Sequence, residues 1–173
     1  MNLYDASVPV YVKILENLSG ILKKGEDWAA ENQKTDEEML EAKLAPDMFP
    51  LVRQIQIASD NAKSISTRLA GVEPPKMADT EATFVELIER VQKTITYLKT
   101  LDRKNFDGAE SRHIPFPYVP ETYLLGHEAL FQSYLPNFFF HATTAYDILR
   151  NTGVPLGKAD FIGSLPLKQN EKA

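Results

Sequence analysis

Residues 84–101 read FVELIERVQKTITYLKTL. Phe84, Leu87, Ile88, Val91, Ile95, Leu98 and Leu101 recur every three or four positions, with polar residues between them. That spacing lines one side of a helix with apolar groups. A helix with one such stripe must bury it against a partner, so matching stripes are expected elsewhere in the chain.

Three more are found. Val10, Ile14, Leu18, Ile21 and Leu22 define a helix over about 8–32, with Ser7 as its cap and Pro9 in its first turn. Gly20 and Gly25 weaken its later turns. Met48, Leu51, Ile55, Ala58, Ala62, Ile65 and Leu69 define a second, opening at Asp47 and closing at Gly71. The 84–101 helix is predicted to begin near Asp79-Thr80. Phe131, Tyr134, Phe138, His141, Ala145 and Ile148 mark a last helix over about 127–151, stopped by Gly153 and kinked by Pro136. Thr35-Asp36-Glu37-Glu38 is a capping box for a short linking helix. Val72-Glu73-Pro74-Pro75 reads as a rigid connector. In residues 102–125, Pro115, Pro117 and Pro120 interleave with Ile114, Phe116, Tyr118 and Tyr123, which suits a small irregular hairpin. The expected fold is all-α: an up-down four-helix bundle with that hairpin before the last helix. Residues 1–168 form the single domain and 169–173 a frayed tail. The stretch from Val154 is expected to pack in extended form through Phe161 and Ile162. Phe138-Phe139-Phe140 wraps more than one helix face, so at least one ring must leave the core, which suggests a contact with a second subunit, as in a homodimer, or with the hairpin.

At 173 residues and 43% hydrophobic, the chain can bury one ordinary core. Its net charge of −5 disfavours nucleic acid and anionic membranes. With no cysteine, thiol catalysis, disulfides and Cys-based metal sites are excluded. No basic, apolar leader opens the sequence and no apolar run approaches a membrane span, so a cytoplasmic location is expected.

Candidate chemistry centres on His141, a polar ring on an apolar stripe. A buried imidazole needs partners for its nitrogens. The polar face of the second helix, Gln56, Asp60, Lys63 and Thr67, offers them, and Asn137 lies one turn before His141. Such a cluster suits a small ligand, a water, a divalent metal on His141 and Asp60, or simply a closed hydrogen-bond network. His127 is fourteen residues from His141, about 21 Å along a helix, and cannot share a site with it. Glu86, Glu89 and Arg90 read as a solvated face. Ser133, Thr143 and Thr144 lack any oxyanion-hole motif.

Several ordered segments resemble one family. They include Leu3-Tyr4-Asp5-Ala6-Ser7-Val8-Pro9, Leu44-Ala45-Pro46-Asp47-Met48, and Gln54-Ile55-Gln56-Ile57-Ala58-Ser59-Asp60-Asn61-Ala62-Lys63. Arg68-Leu69-Ala70-Gly71, Asp79-Thr80-Glu81-Ala82-Thr83-Phe84, Leu135-Pro136-Asn137-Phe138-Phe139-Phe140-His141 and Gly153-Val154-Pro155-Leu156-Gly157-Lys158 continue the set. The chain resembles the domain-of-unknown-function family numbered nineteen ninety-three, similar in fold to the DinB-like (YfiT-like) metalloenzymes. The resemblance implies a four-helix bundle, often dimeric, with a metal held by three histidines in many relatives. In those, the last helix supplies two histidines and the second helix one. Here the corresponding positions read Asn137 and His141, with Gln56 or Asp60 on the second helix, so only one histidine of the three is present. The thiol-dependent transfer of some relatives would need the missing ligands.

Overall fold

The structure, a computed structural model, describes residues 2–116 and 119–169. Four long helical rods form the bundle. They are α1 (Leu3–Glu31), α3 (Leu51–Ala70), α4 (Phe84–Leu98) and a last rod described below. The short α2 (Asp36–Leu40) links α1 to α3, and Thr35 and Glu38 close the expected capping box. The stripes meet in one interior, where Leu18, Leu22, Leu51, Ile65, Leu69, Phe84, Val91 and Leu98 lose all exposure. No helix among the described residues is long and apolar enough to cross a membrane.

Helix starts differ from the sequence reading for local reasons. α1 begins five residues early because Asn2 caps it. The Asn2 side chain accepts from the Tyr4 N–H at 3.1 Å, and the Asn2 N–H donates to Asp5 at 3.0 Å. Arg103 and that N–H hold the Asp5 carboxyl down at about 2. Ser7 is therefore interior, its hydroxyl donating to the Leu3 carbonyl at 2.6 Å. α3 starts at Leu51 rather than Asp47, behind Pro50. α4 starts at Phe84, where Thr83 and Glu86 form a capping box that outcompetes Asp79.

Helix directions depend on which faces meet. Lys99 pairs with Glu16 at 2.7 Å while Phe84 lies beside Gly25, so α1 and α4 are antiparallel. His141 meets Gln54 while Gly126 lies beside Leu69, so α3 and the last rod are antiparallel. Tyr11 contacts Phe138 and Gly25 contacts Leu149, so α1 and the last rod run parallel. It follows that α3 and α4 also run parallel, and the bundle is traversed up, down, down, up. The Pro-containing connector 71–83 makes this possible. Thirteen extended residues reach about 40 Å, against about 30 Å for the 20-residue α3. The connector runs back along α4, with Glu73 bonded to Tyr97, Met77 to Thr94 and Ala78 to Arg90.

The hairpin forms where expected, β1 (His113–Pro115) pairing antiparallel with β2 (Tyr123–Leu125). Pro117 and Tyr118, at its tip, lie outside the described residues. Two 3₁₀ turns, Arg103–Phe106 and Ala109–Ser111, precede it, and the second abuts Gly126. A Cβ on Gly126 would sit 1.9 Å from the Ala109 carbonyl oxygen. Gly126→Ala should therefore cost about 1–3 kcal/mol in urea denaturation, because backbone must move. An unchanged midpoint would show that the contact relaxes freely.

The last rod comprises α5 (Gly126–Glu128), a π-helical stretch (Ala129–Tyr134) and α6 (Leu135–Thr152). The kink expected at Pro136 becomes this π-helical stretch. The Leu135 N–H donates to the Leu130 carbonyl, five residues back, upstream of the proline. One extra residue per turn rotates the preceding face. Leu130 is fully buried in consequence, and Phe131, expected in the core, is 51% exposed. The segment after Gly157 is helical, α7 (Lys158–Ile162), rather than extended. Phe161 packs near Tyr146, and Ile162 keeps 37% of its surface exposed. Of the tail expected to fray, Gln169 is exposed and 170–173 lie outside the described residues.

Candidate functional site

α3 presents Arg53, Ile57, Asp60, Asn61, Ser64 and Arg68 at helical spacing, and the last rod presents Tyr134, Asn137 and His141 opposite them. Between the two faces lies a cleft of about 470 Å³, with Phe49 also on its lining. His141 is buried at its wall, 7% exposed.

The α3 residue that meets His141 is Gln54, not one of the polar-face residues singled out from the sequence. His141 Nδ1 lies 2.6 Å from Gln54 Oε1, and Gln54 Nε2 donates to the Phe49 carbonyl at 2.9 Å. The second bond orients the amide, so its oxygen faces the ring. Nδ1 then carries the proton, and Nε2 is left as the lone-pair nitrogen. Burial, aided by the nearby Arg53 charge, lowers the imidazole pKa below 6.5. Gln54 was legible as a polar residue on an apolar stripe, flanked at helical spacing by Leu51, Ala58 and Asn61.

Asp60 and Asn137 do line the cleft. Asp60, however, spends its carboxylate elsewhere. Its Oδ1 lies 2.9 Å from Lys63 Nζ and 3.0 Å from Arg90 Nη2. Gln56 and Lys63 are not on the cleft's lining, and Gln56 faces the connector. Gln56 accepts from Arg53 Nη1 at 3.0 Å and donates to Glu81 at 2.9 Å. Arg90, expected on a solvated face, is the hub of this second cluster, with its side chain 1% exposed. It binds Asp79 at 2.9 Å, Glu81 at 3.0 Å and the Ala78 carbonyl at 3.0 Å. The correction has a plain cause: the connector folds back over α4 and brings its acids to a cation that the linear pattern leaves facing water. Glu89 does stay exposed, paired with Lys93.

The donor set does not suit a divalent metal. Asp60 is neutralised by two cations, His141 Nδ1 is bonded to Gln54, and Asn137 offers a neutral amide. His113 stacks on Tyr123 in the hairpin, and His127 bonds the Glu110 carbonyl. No group of three or more His, Asp or Glu is placed to hold a metal among the described residues.

Residues 3–162 match a family model described as a domain of unknown function (DUF1993). A crystal structure of a DinB family member protein from Shewanella denitrificans is 39% identical, the match covering 97% of this chain and 96% of that one, with a TM-score of 0.93. No curated protein matches the chain.

Proposed function

Because the chain belongs to the DUF1993 family of unknown function and shares the fold of a DinB family member, we propose that it is a binding protein whose His141 cleft takes a small polar organic molecule without a metal. One observation carries this reading. The relay from Phe49 through Gln54 to His141 holds a neutral imidazole, with a bare Nε2, in the wall of a cleft that also offers the Asn137 amide and the Ser64 hydroxyl. A few convergent polar groups beside apolar Phe49 and Ile57 suit an organic ligand better than a bare ion.

The test is thermal denaturation against a library of small polar metabolites, with wild type, Asn137→Leu and His141→Ala compared. A ligand at about 100 times its Kd adds about 2.7 kcal/mol to wild-type stability. Hits that stabilise wild type and lose the effect in both variants support the proposal. A library without hits, or hits indifferent to both substitutions, overturns it. Metal analysis of protein purified without added metal checks the second half of the claim, since stoichiometric metal lost on His141→Ala would reverse it.

His141→Ala also leaves the buried Gln54 carbonyl unpaired, at a cost of about 1–3 kcal/mol. The wild type should further show an acid slope that the variant lacks. With the folded pKa below 6.5, the unfolded chain binds the extra proton first as pH falls. This contribution is intact above pH 6.5 and is lost from there down to the folded value. Urea denaturation between pH 7.5 and 5 in both proteins measures it.

A further inference from the structure

Arg53 and Arg68 both line the cleft, and their side chains run along α3 toward each other. At the His141 end, Arg53 Nη1 reaches forward to Gln56 and to Asp79. At the far end, Arg68 Nε reaches back to Ser64 at 3.1 Å. Gln56 and Ser64 are eight residues apart, about 12 Å along α3. Both arginines line the cleft and keep donors in reserve. Among the described residues, Arg53 uses only Nη1 and Arg68 only Nε, and Arg68 has no carboxylate partner.

What lies between them does not repel an anion. Asn61 and Asn137 are neutral, and Asp60 is already paired with Lys63 and Arg90. In a chain of net charge −5, the cleft carries one cation without a counter-ion, Arg68, and a second, Arg53, that is paired with Asp79 on one edge only. Guanidinium offers paired N–H donors that match a carboxylate or phosphate.

We infer that the cleft takes an elongated organic dianion, with one acid group on Arg53, one on Arg68 and a short linker across Ile57 and Asn61. This rests on the binding role proposed above and names the ligand class for it.

Calorimetric titration at low ionic strength with straight-chain dicarboxylates of about four to ten carbons, and with monocarboxylates of equal length, tests the inference. The expected result is affinity that rises with chain length among the diacids, the best exceeding its monoacid by about ten-fold. Arg68→Gln should erase that advantage, Arg68→Lys should restore part of it, and Lys158→Gln, on α7, should leave it unchanged. Length-independent binding, or a diacid advantage that survives Arg68→Gln, overturns the inference. If no carboxylate binds while a library compound still stabilises the protein through Asn137 and His141, the dianion class falls and the binding role stands. If neither the acids nor the library bind, both fall.

Discussion

Replacing Arg90 by Met is expected to cost about 3–5 kcal/mol in urea denaturation, among the largest effects of any single substitution in this protein. The guanidinium is almost wholly shielded from water and serves Asp60, Asp79, Glu81 and the Ala78 carbonyl at once. Removing it strips Glu81 of its cation and leaves Asp60 and Asp79 with one each, Lys63 and Arg53. Arg90→Lys should fall between, because an ammonium cannot fork to both Asp79 and Glu81. Acid should dissolve the same cluster in the wild type. Burial alone would raise the Asp79 pKa, but Arg53 and Arg90 outweigh it and hold the carboxyl below its usual 3.8. The unfolded chain therefore takes up the proton first. The Asp79 contribution is complete above pH 3.8 and lost as pH falls through the folded value. Arg90→Met should flatten that part of the stability profile. A loss under about 1 kcal/mol would mean that the cluster is no more than a solvated surface network.

Phe138→Ala is expected to cost about 3–5 kcal/mol, while Phe140→Ala, two residues on, stays within about 0.5 kcal/mol. Phe138 is fully buried and meets Tyr11 edge to face, with ring centroids 4.7 Å apart. Truncation opens a cavity where α1 and α6 run side by side, and Tyr11, also fully buried, cannot swing out to fill it. Phe140 is 57% exposed and touches the His141 ring only at 5.2 Å between centroids. Denaturant midpoints of the two variants measure the contrast. Equal losses would place both rings in the core and contradict the helix register set by the π-helical stretch.

That contrast was partly legible beforehand. Three consecutive phenylalanines span about 200° of a helix, so one of them had to face outward, though not which one. The exposure of Phe131 was not legible, because the extra residue per turn arises from how the chain relieves Pro136 against its neighbours. Among the site residues, His141 was found from its place on an apolar stripe, and Asp60 and Asn137 do reach the same cleft. The periodicity of the polar face points to Gln56 rather than Gln54, but Gln56 and its neighbours on that face serve the Arg90 cluster. Arg53 and Arg68 gave no signal, since a cation along a helix reads the same whether it faces water or a cleft.

The amino-acid sequence by itself determined what depends on neighbours along the chain. Periodicity set the four apolar stripes, Thr35 and Glu38 set a helix start, the prolines of 115–120 set a hairpin, and Gly71 and Gly153 took the left-handed backbone that ends α3 and α6. The tertiary structure alone decided which faces meet. A stripe states that residues share a side of a helix, but not which helix covers it or in which direction that partner runs. The extended connector turned α4 parallel to α3, and the same fold-back delivered Asp79 and Glu81 to Arg90. Charge pairing and ring tautomers follow from such long-range meetings, because electrostatic energy depends on distance in space and on excluded water rather than on separation in sequence.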